Sequence, residues 1–277
     1  MGKQIKVTKV TVIISVYNNS DYLKLVFAGL QRQKFKDFDI IIADDGSEEG
    51  FVNEVKMLSR EIDYSLIHLW QEDKGFRKNK ILNRAIVASN SGYLVFTDGD
   101  CIPHKNFIKE HFENRANGLC LTGRRVNLSQ KITNRLNAEN VYNGFLEKRK
   151  VTLTIDGIIG SSTDIEKGFY FENKFIRNIL NKKKRGLLGS NFSIHKKELI
   201  AINGFDERYE EPSIGEDSDL QFRLELNNVQ IRSLNNIAIQ YHLFHNILPR
   251  PENNMLIFEN VKKLKEYFTP YGIKQTS

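Results

Sequence analysis

The apolar positions of this chain change period several times within its first hundred residues. Val10 to Val16 (VTVIISV) is an unbroken and largely β-branched run, the pattern of a strand buried on both faces. Tyr22, Leu23, Val26, Phe27 and Leu30 then recur at helical spacing, behind Asn19 or Ser20, either of which can cap the first turn. Phe38 to Ala43 (FDIIIA) returns to strand pattern and stops at Asp44-Asp45-Gly46-Ser47. A helix from about Phe51 to Glu61 and a strand over Ser65 to Trp70 follow. The next helix covers about Arg77 to Ser89, with Ile81, Leu82, Ala85 and Ile86 facing inward. Tyr93 to Thr97 (YLVFT) is again a strand and ends at Asp98-Gly99-Asp100. Such alternation predicts an α/β fold with a mostly parallel, doubly wound sheet.

Open α/β sheets collect their ligands at the carboxyl ends of the strands. Both acidic clusters, DDGS and DGD, fall there. Each alone is an ordinary Asx turn; two at equivalent places in one sheet favour a ligand site.

The second half is less regular. Helices are expected around Ile132 to Glu147 and Ile165 to Leu180, on either side of the poorly patterned TIDGIIGSSTD. Gly189-Ser190-Asn191 precedes a short strand and a helix over His195 to Ile202. The acidic run Glu216-Asp217-Ser218-Asp219 opens a helix, two strands end near Tyr241-His242, and a final amphipathic helix covers about Asn253 to Phe268. Repeats and low-complexity linkers are lacking, so residues 1–277 are taken as one domain. Residues 1–126 form a ligand-binding half, 127–245 a second half with an irregular insert, and 246–277 a terminal helix.

A chain of 277 residues with 40% hydrophobic and 27% charged content has the composition of an ordinary globular protein. It lacks an eighteen-residue apolar run, and MGKQIKVTKV lacks the apolar core of a signal peptide. Its two cysteines, Cys101 and Cys120, suit neither a disulfide framework nor a zinc cluster. A cytoplasmic location is the expectation. The net charge of +7 is concentrated: between Arg124 and Arg185 stand fourteen Lys or Arg against six Asp or Glu, while the rest of the chain is nearly neutral. A solvated face is one reading; the other is an anionic partner such as a lipid surface, a charged polysaccharide or nucleic acid. Zinc-finger, RNA-recognition and helix-turn-helix patterns are absent, so nucleic acid is not expected. Peripheral contact with the inner face of the cytoplasmic membrane, through residues 124–185, is.

Asp98 and Asp100, one residue apart at a strand end, can share a hard cation such as Mg²⁺ or Mn²⁺, and Gly99 between them lets the backbone turn and phosphates approach. A cation there would act as Lewis acid for a diphosphate leaving group. A neutral imidazole from YHLFH, His242 or His245, could complete the site. The carboxylates of Glu216 and Asp217 favour a helix N-terminus whatever the function; alternatively, one of them points into the cleft and removes a proton from an acceptor hydroxyl.

Together these segments resemble the family 2 glycosyltransferases, which have the GT-A fold, a Rossmann-like doubly wound mixed sheet with an irregular acceptor-side segment. The resemblance runs from about Thr8 to His245. It is carried by VTVIISVYNNSDYLKLVFAGLQRQKFKDFDIIIADDGS, DKGFRKNKILNRAI and YLVFTDGDCIP, then by GSNFSIHKKELIAINGFDERY with GEDSDLQFRL. The last two are similar to the galactosyltransferase-type carboxyl segment of chondroitin-polymerase-like bacterial enzymes. The resemblance implies an inverting, metal-dependent transfer of a hexose or N-acetylhexosamine from a UDP-sugar to a saccharide or lipid-linked saccharide, in bacterial surface polysaccharide or lipopolysaccharide synthesis. It implies that Ser15, Tyr17, Asp44 and Asp45 hold the uridine, with Arg77 and Lys80 near the phosphates. Asp98 approaches the ribose or sugar and the metal, Asp100 ligates the metal, and His242 completes the site in preference to His245. Asp217 becomes the general base, with Glu216 on the acceptor or donor sugar. One departure is Ile214-Gly215, where related sequences carry Trp-Gly, which removes an aromatic surface for the sugar.

A nicotinamide-binding Rossmann protein needs a glycine-rich turn after the first strand, where this chain has Tyr17-Asn18-Asn19-Ser20. A sugar nucleotidyltransferase would need the same loop. A sugar-nucleotide-binding module that has lost turnover is the remaining alternative, against which stands the full set of Asp45, Asp98, Asp100, Asp217 and His242.

Overall fold

The computed structural model describes residues 9–212, 216–246 and 253–275. The Ile214-Gly215 pair and the first eight residues lie outside them. The first half follows the apolar pattern closely: β1 (Val10–Val16), α1 (Ser20–Gln31), β2 (Phe38–Asp44), α2 (Glu49–Leu58), β3 (Leu66–Trp70), α3 (Lys78–Ala88) and β4 (Tyr93–Asp98). Asn19 is the cap of α1, its side-chain oxygen accepting the Tyr22 amide at 3.1 Å. β2 and β3 extend the sheet to one side of β1 and β4 returns to the other, all parallel. The reversal opens a crevice at the carboxyl ends of β1 and β4, where Ser15 and Asp98 are register partners.

The second half contains β5 (Cys101–Pro103), α4 (Phe107–Glu113), β6 (Leu119–Thr122), β7 (Arg124–Asn127), α5 (Gln130–Thr133), α6 (Ala138–Tyr142), α7 (Phe145–Lys148), α8 (Lys150–Ile158) and α9 (Lys174–Leu180). After these come β8 (Asn191–His195), α10 (Lys196–Ala201), α11 (Glu216–Leu226), β9 (Gln230–Ser233), β10 (Ile239–His242) and α12 (Asn253–Leu264). The main sheet has seven strands in the order β3-β2-β1-β4-β8-β6-β9. It is mixed, because β8 runs antiparallel to both β4 and β6. A second sheet, β5-β10-β7, stands apart from it.

Alternation along β1 sorts the core into layers. Val10, Val12, Ile14 and Val16 pack with Leu23, Val26, Phe27, Phe51 and Phe107 on one face. Ile13 joins Ile41, Ile81, Leu82, Phe96, Leu199 and Leu220 on the other. A third apolar cluster lies beneath the small sheet, with Leu25 and Ala28 of α1 against Ile102, Val126, Tyr241 and Leu243. Cys101 and Cys120 are buried and free within these layers.

The irregular insert departs from the periodicity. The helix expected over Ile132 to Glu147 is three short ones, α5 to α7. Asn137 caps α6 through a capping box with Asn140, and Gly144 takes a left-handed conformation (φ 78°), so the chain turns twice where the apolar spacing alone continued. TIDGIIG, expected to be irregular, instead supplies much of α8. The helix expected over Ile165 to Leu180 is a 3-10 turn at Ile165–Gly168 and, after an extended stretch, α9, capped by Asn173. Asparagine side chains satisfy free helical amides locally and so divide the segment. Helix α12 stops at Leu264, short of Phe268, where Lys265 turns left-handed (φ 54°).

Helix α11 buries Leu220 and Leu224 in the core and is also fastened by a buried ion pair. The Arg223 guanidinium donates to Asp219 Oδ2 at 2.6 and 2.8 Å and to the carbonyls of Ile202 and Gly204 at 3.1 and 2.9 Å. Both side chains are 1% exposed, so each charge depends on the other. Asp219→Ala is expected to destabilise the fold by about 3 kcal/mol or more, and the Asp219→Leu/Arg223→Met pair to recover much of that loss. Urea unfolding of the three proteins checks it; a loss below ~1 kcal/mol for Asp219→Ala would show the pair is not needed.

Candidate active site

The DDGS and DGD loops meet the start of α3 at one crevice. The two aspartates of DDGS do different work. Asp44 is fully buried, and both its oxygens are engaged, one by the Ser47 amide at 2.8 Å and one facing His68 Nε2 at 2.8 Å. It was expected among the ligand-binding residues, but its contacts shape the loop. Asp45 accepts the Arg77 amide at 2.7 Å and the Gln71 side-chain amide at 2.6 Å. Burial raises its pKa, against the pull of those two donors. Tyr17 is exposed at the mouth, its hydroxyl donating to Asp73 Oδ2 at 3.0 Å. The Arg77 guanidinium folds back to the Glu72 carbonyl. Gln71 Oε1, Arg77 Nε and, across the crevice, Glu216 Oε2 are buried without a hydrogen-bond partner. Such orphaned atoms mark a place where a polar ligand would be satisfied.

Lys80 is exposed. The lysine that enters the crevice is Lys78, which the sequence argument missed. Its ammonium lies 3.1 Å from Asp98 Oδ1 and 3.3 Å from Glu216 Oε1, while the Ser15 hydroxyl donates to the same Asp98 oxygen at 2.5 Å. A signal for this was available: Lys78 shares the helix face of Ile81, Leu82 and Ala85, at i+3, i+4 and i+7, whereas Lys80 does not. Burial works against the charge of Lys78, but Asp98, Glu216 and Asp217 outweigh it and hold the ammonium well above its usual pKa.

Asp217 stands in the first turn of α11, beside Glu216. Its Oδ2 accepts the Gly189 amide at 2.8 Å. A side chain at Gly189 would put a Cβ 2.1 Å from Asp217 Oδ1, so the glycine is needed for the two segments to meet. Burial, followed by the charge of Glu216, raises the Asp217 pKa to about 7, with Lys78 and the Gly189 amide opposing. A carboxyl poised there can accept a proton near neutrality.

Asp100 turns away from Asp98. Its Oδ2 lies 3.3 Å from His242 Nε2 and 3.2 Å from His245 Nε2, and the two ring nitrogens are 3.1 Å apart. Pairing of β10 with β5 puts His242 opposite Cys101, and the Leu243 amide donates to the Asp100 carbonyl at 2.9 Å, which fixes the approach. Although partly buried, Asp100 is held well below the usual carboxylate range by the two imidazoles, and Asp100 in turn raises His245. These three side chains offer ligand atoms within 4.8 Å of one another, a donor set of one carboxylate and two imidazoles that suits a divalent transition metal. Asp98 does not belong to this cluster; its oxygen is turned to Ser15 and Lys78. Both histidines face Asp100, where the sequence resemblance favoured His242 alone. Gly99 provides room: a Cβ there would lie 2.8 Å from Val16 Cγ1. Arg125, counted before only as part of the basic segment, lies close to this pair of loops: burial opposes its charge, and Cys101, Asp98 and Asp100 outweigh that and raise its pKa.

Residues 11–190 match glycosyl transferase family 2, and residues 178–246 match a domain described as the N-terminal domain of galactosyltransferase. Chondroitin synthase of Escherichia coli is 24% identical over 253 residues, covering 87% of this chain and 35% of that protein. The uncharacterized glycosyltransferase YfnE of Bacillus subtilis is 25% identical over 240 residues, 78% of this chain and 60% of that one. The chain therefore spans about a third to three fifths of the length of these relatives. Among solved structures, Staphylococcus aureus TarS 1-349 in complex with UDP-GlcNAc superposes with a TM-score of 0.58 at 18% identity, covering 93% of this chain and 65% of that one. Mannosyltransferase PcManGT of Pyrobaculum calidifontis, in complex with GDP-Man and Mn²⁺, superposes with a TM-score of 0.55 at 13% identity, covering 94% and 63%. The mixed sheet is thus the GT-A fold.

Replacing Lys78 by Met removes the cation that opposes proton uptake at Asp217, so the Asp217 carboxyl should titrate above its value of about 7. Carbon-13 NMR of labelled aspartate carboxyls would follow it; an unchanged or lower midpoint in Lys78→Met would show that the ammonium does not act on Asp217.

Proposed function

The chain belongs to glycosyl transferase family 2, and on that premise we propose that it transfers a hexose or N-acetylhexosamine from a UDP-sugar to a hydroxyl of a saccharide acceptor, with inversion at the anomeric carbon. The observation that carries this reading is the Lys78 bridge, which ties Asp98, at the end of a nucleotide-side strand, to Glu216 next to Asp217. It puts a proton acceptor and a donor-side carboxylate at one crevice.

In this reading Asp45, with Gln71 and Arg77 around it, meets the base, and Tyr17 covers the open side. Ser15 and Asp98 meet the ribose or the sugar. Asp100, His242 and His245 would hold Mn²⁺, whose chemistry suits two imidazoles better than that of Mg²⁺, and which when bound supplies Lewis-acid neutralisation of the diphosphate leaving group. Lys78 and Arg125 add positive charge beside the same place, where it favours the developing phosphate anion over the ground state. Glu216, with its free buried oxygen, hydrogen-bonds a hydroxyl of the acceptor or donor sugar. Asp217 takes the proton of the attacking hydroxyl as the acceptor oxygen bonds to the anomeric carbon and the bond from that carbon to the phosphate oxygen breaks. One displacement suffices, and no covalent sugar–enzyme intermediate forms. The complexes of TarS with UDP-GlcNAc and of PcManGT with GDP-Man and Mn²⁺ support the ligand classes.

Calorimetry should find UDP binding that strengthens with Mn²⁺ and weakens with a chelator, and Asp100→Ala or His245→Ala should weaken metal and nucleotide together. Metal-independent binding of equal strength in all three proteins would refute the cluster as a metal site. Asp217→Asn should lower transfer by roughly 10²–10⁴-fold while leaving UDP affinity unchanged. In the wild type the rate should fall as pH drops through about 7, because protonated Asp217 can no longer accept a proton. A pH-independent rate across that range, or full activity in Asp217→Asn, would remove Asp217 from the role of base.

A further inference from the structure

The basic insert carries more than charge. Helix α8 and its C-cap residue Ile159 present Val151, Ile155, Ile158 and Ile159 between 53% and 80% exposed, at the i, i+4, i+7, i+8 spacing of one helix face. The opposite face is fixed to the body, with Leu153 buried in the cluster under the small sheet and the buried Asp156 accepting the Ser162 hydroxyl. The stripe is therefore a held surface and not a frayed end. Helix α9 shows the same arrangement more sharply, since none of its residues is buried. Polar contacts hold it: Arg177 donates to both oxygens of Glu110 at 2.8 and 2.9 Å, and Asn181 donates to the Asn235 carbonyl at 3.1 Å. Its apolar residues Phe175, Ile176 and Ile179 are left to solvent. The segment ahead of α9 touches both helices: the Lys150 ammonium of α8 lies 5.5 Å from the Phe169 ring centroid, and Arg177 of α9 donates to the neighbouring Tyr170 hydroxyl at 2.9 Å.

Each apolar stripe adjoins a cationic cluster: Lys148-Arg149-Lys150 at the start of α8, and Lys182-Lys183-Lys184-Arg185 just past α9. We propose that the exposed faces of α8 and α9, with these two clusters, form a docking surface for an anionic lipid bilayer. Apolar side chains enter the acyl boundary while Lys and Arg meet the headgroup phosphates, the division of labour of an interfacial amphipathic helix. Helix α8 has nine residues, and among the described residues no helix is long and apolar enough to cross a membrane, so the contact lies in the interface plane. A second copy of this chain is disfavoured as the occupant, because face-to-face packing would bring the seven cations of one copy against those of the other. The inference does not depend on the reaction proposed above.

Flotation of the full chain with vesicles tests it. The wild type should float with phosphatidylcholine vesicles containing phosphatidylglycerol at low salt, and not with phosphatidylcholine alone. The Ile155→Gln/Ile158→Gln/Ile159→Gln, Phe175→Gln/Ile179→Gln and Lys182→Gln/Lys183→Gln/Lys184→Gln variants should each lose partitioning about tenfold or more. All three should keep the wild-type circular dichroism spectrum and their UDP binding, because they lie outside the crevice. Failure of the wild type to float, or flotation of any variant at the wild-type level, would overturn the surface. So would a wild-type dimer that ignores vesicles and becomes monomeric in the α8 variant. A protein that floats but transfers no sugar would leave the docking surface standing and count against the reaction instead.

Discussion

The ammonium of Lys78 joins two acidic parts of the chain that lie far apart in sequence. It lies between Asp98, at the carboxyl end of β4, and Glu216, in the first turn of α11. Without a cation there, the carboxylates of Asp98, Glu216 and Asp217 would face each other in a partly buried crevice, and at least one would have to bind a proton or move apart. With it, the N-terminus of α11 can sit against the sheet. Asp217 then takes an intermediate position: burial and Glu216 push it toward the neutral form, and Lys78 and the Gly189 amide pull it back. The proton affinity of one side chain is in this way set by its burial, by the charges of Glu216 and Lys78, and by the Gly189 amide.

A second constraint is the small sheet. Its central strand, β10, pairs antiparallel with β5 and parallel with β7. β5 follows the DGD turn immediately, so the pairing register decides what Asp100 faces, and it faces His242 and His245. The same turn leaves Asp98 aimed the other way, toward Ser15 and Lys78. Two carboxylates one residue apart thus serve two different neighbourhoods. The turn at Gly99-Asp100 between β4 and β5 provides this, because strand alternation alone would put residues two apart on the same side.

The insert that carries the net positive charge is also where the fold is least economical of its apolar surface. Helices α5 to α9 are short and attached by few buried residues, three of them with side-chain caps from Ser129, Asn137 and Asn173, and two of them leave isoleucines in solvent. Elsewhere most isoleucines and leucines of the central strands and of α1 and α3 lie in the core, in layers that follow strand alternation.

How much of this was legible beforehand differs from element to element. The strands and helices up to Asp98 followed from apolar periodicity, because most of them bury a continuous stripe or both faces and so leave a strong local signal. The placement of both acidic loops at strand ends followed as well, and with it the general position of the crevice. Residues 130–180 depart from their apolar spacing, because Asn137 and Asn173 cap new helices and Gly144 turns the chain left-handed. Lys78 was legible in principle, from its place on the buried face of α3, and was passed over for Lys80. The sequence by itself determined the doubly wound layout, the candidate carboxylates and the family they resemble. Only the tertiary structure decided that Asp44 is turned inward to His68, that Asp98 and Asp100 part company, that both histidines meet Asp100, and that Gly189 touches Asp217. Each of those depends on contacts between segments far apart in the chain, and local sequence pattern carries no record of which distant side chain will occupy the other half of an interaction.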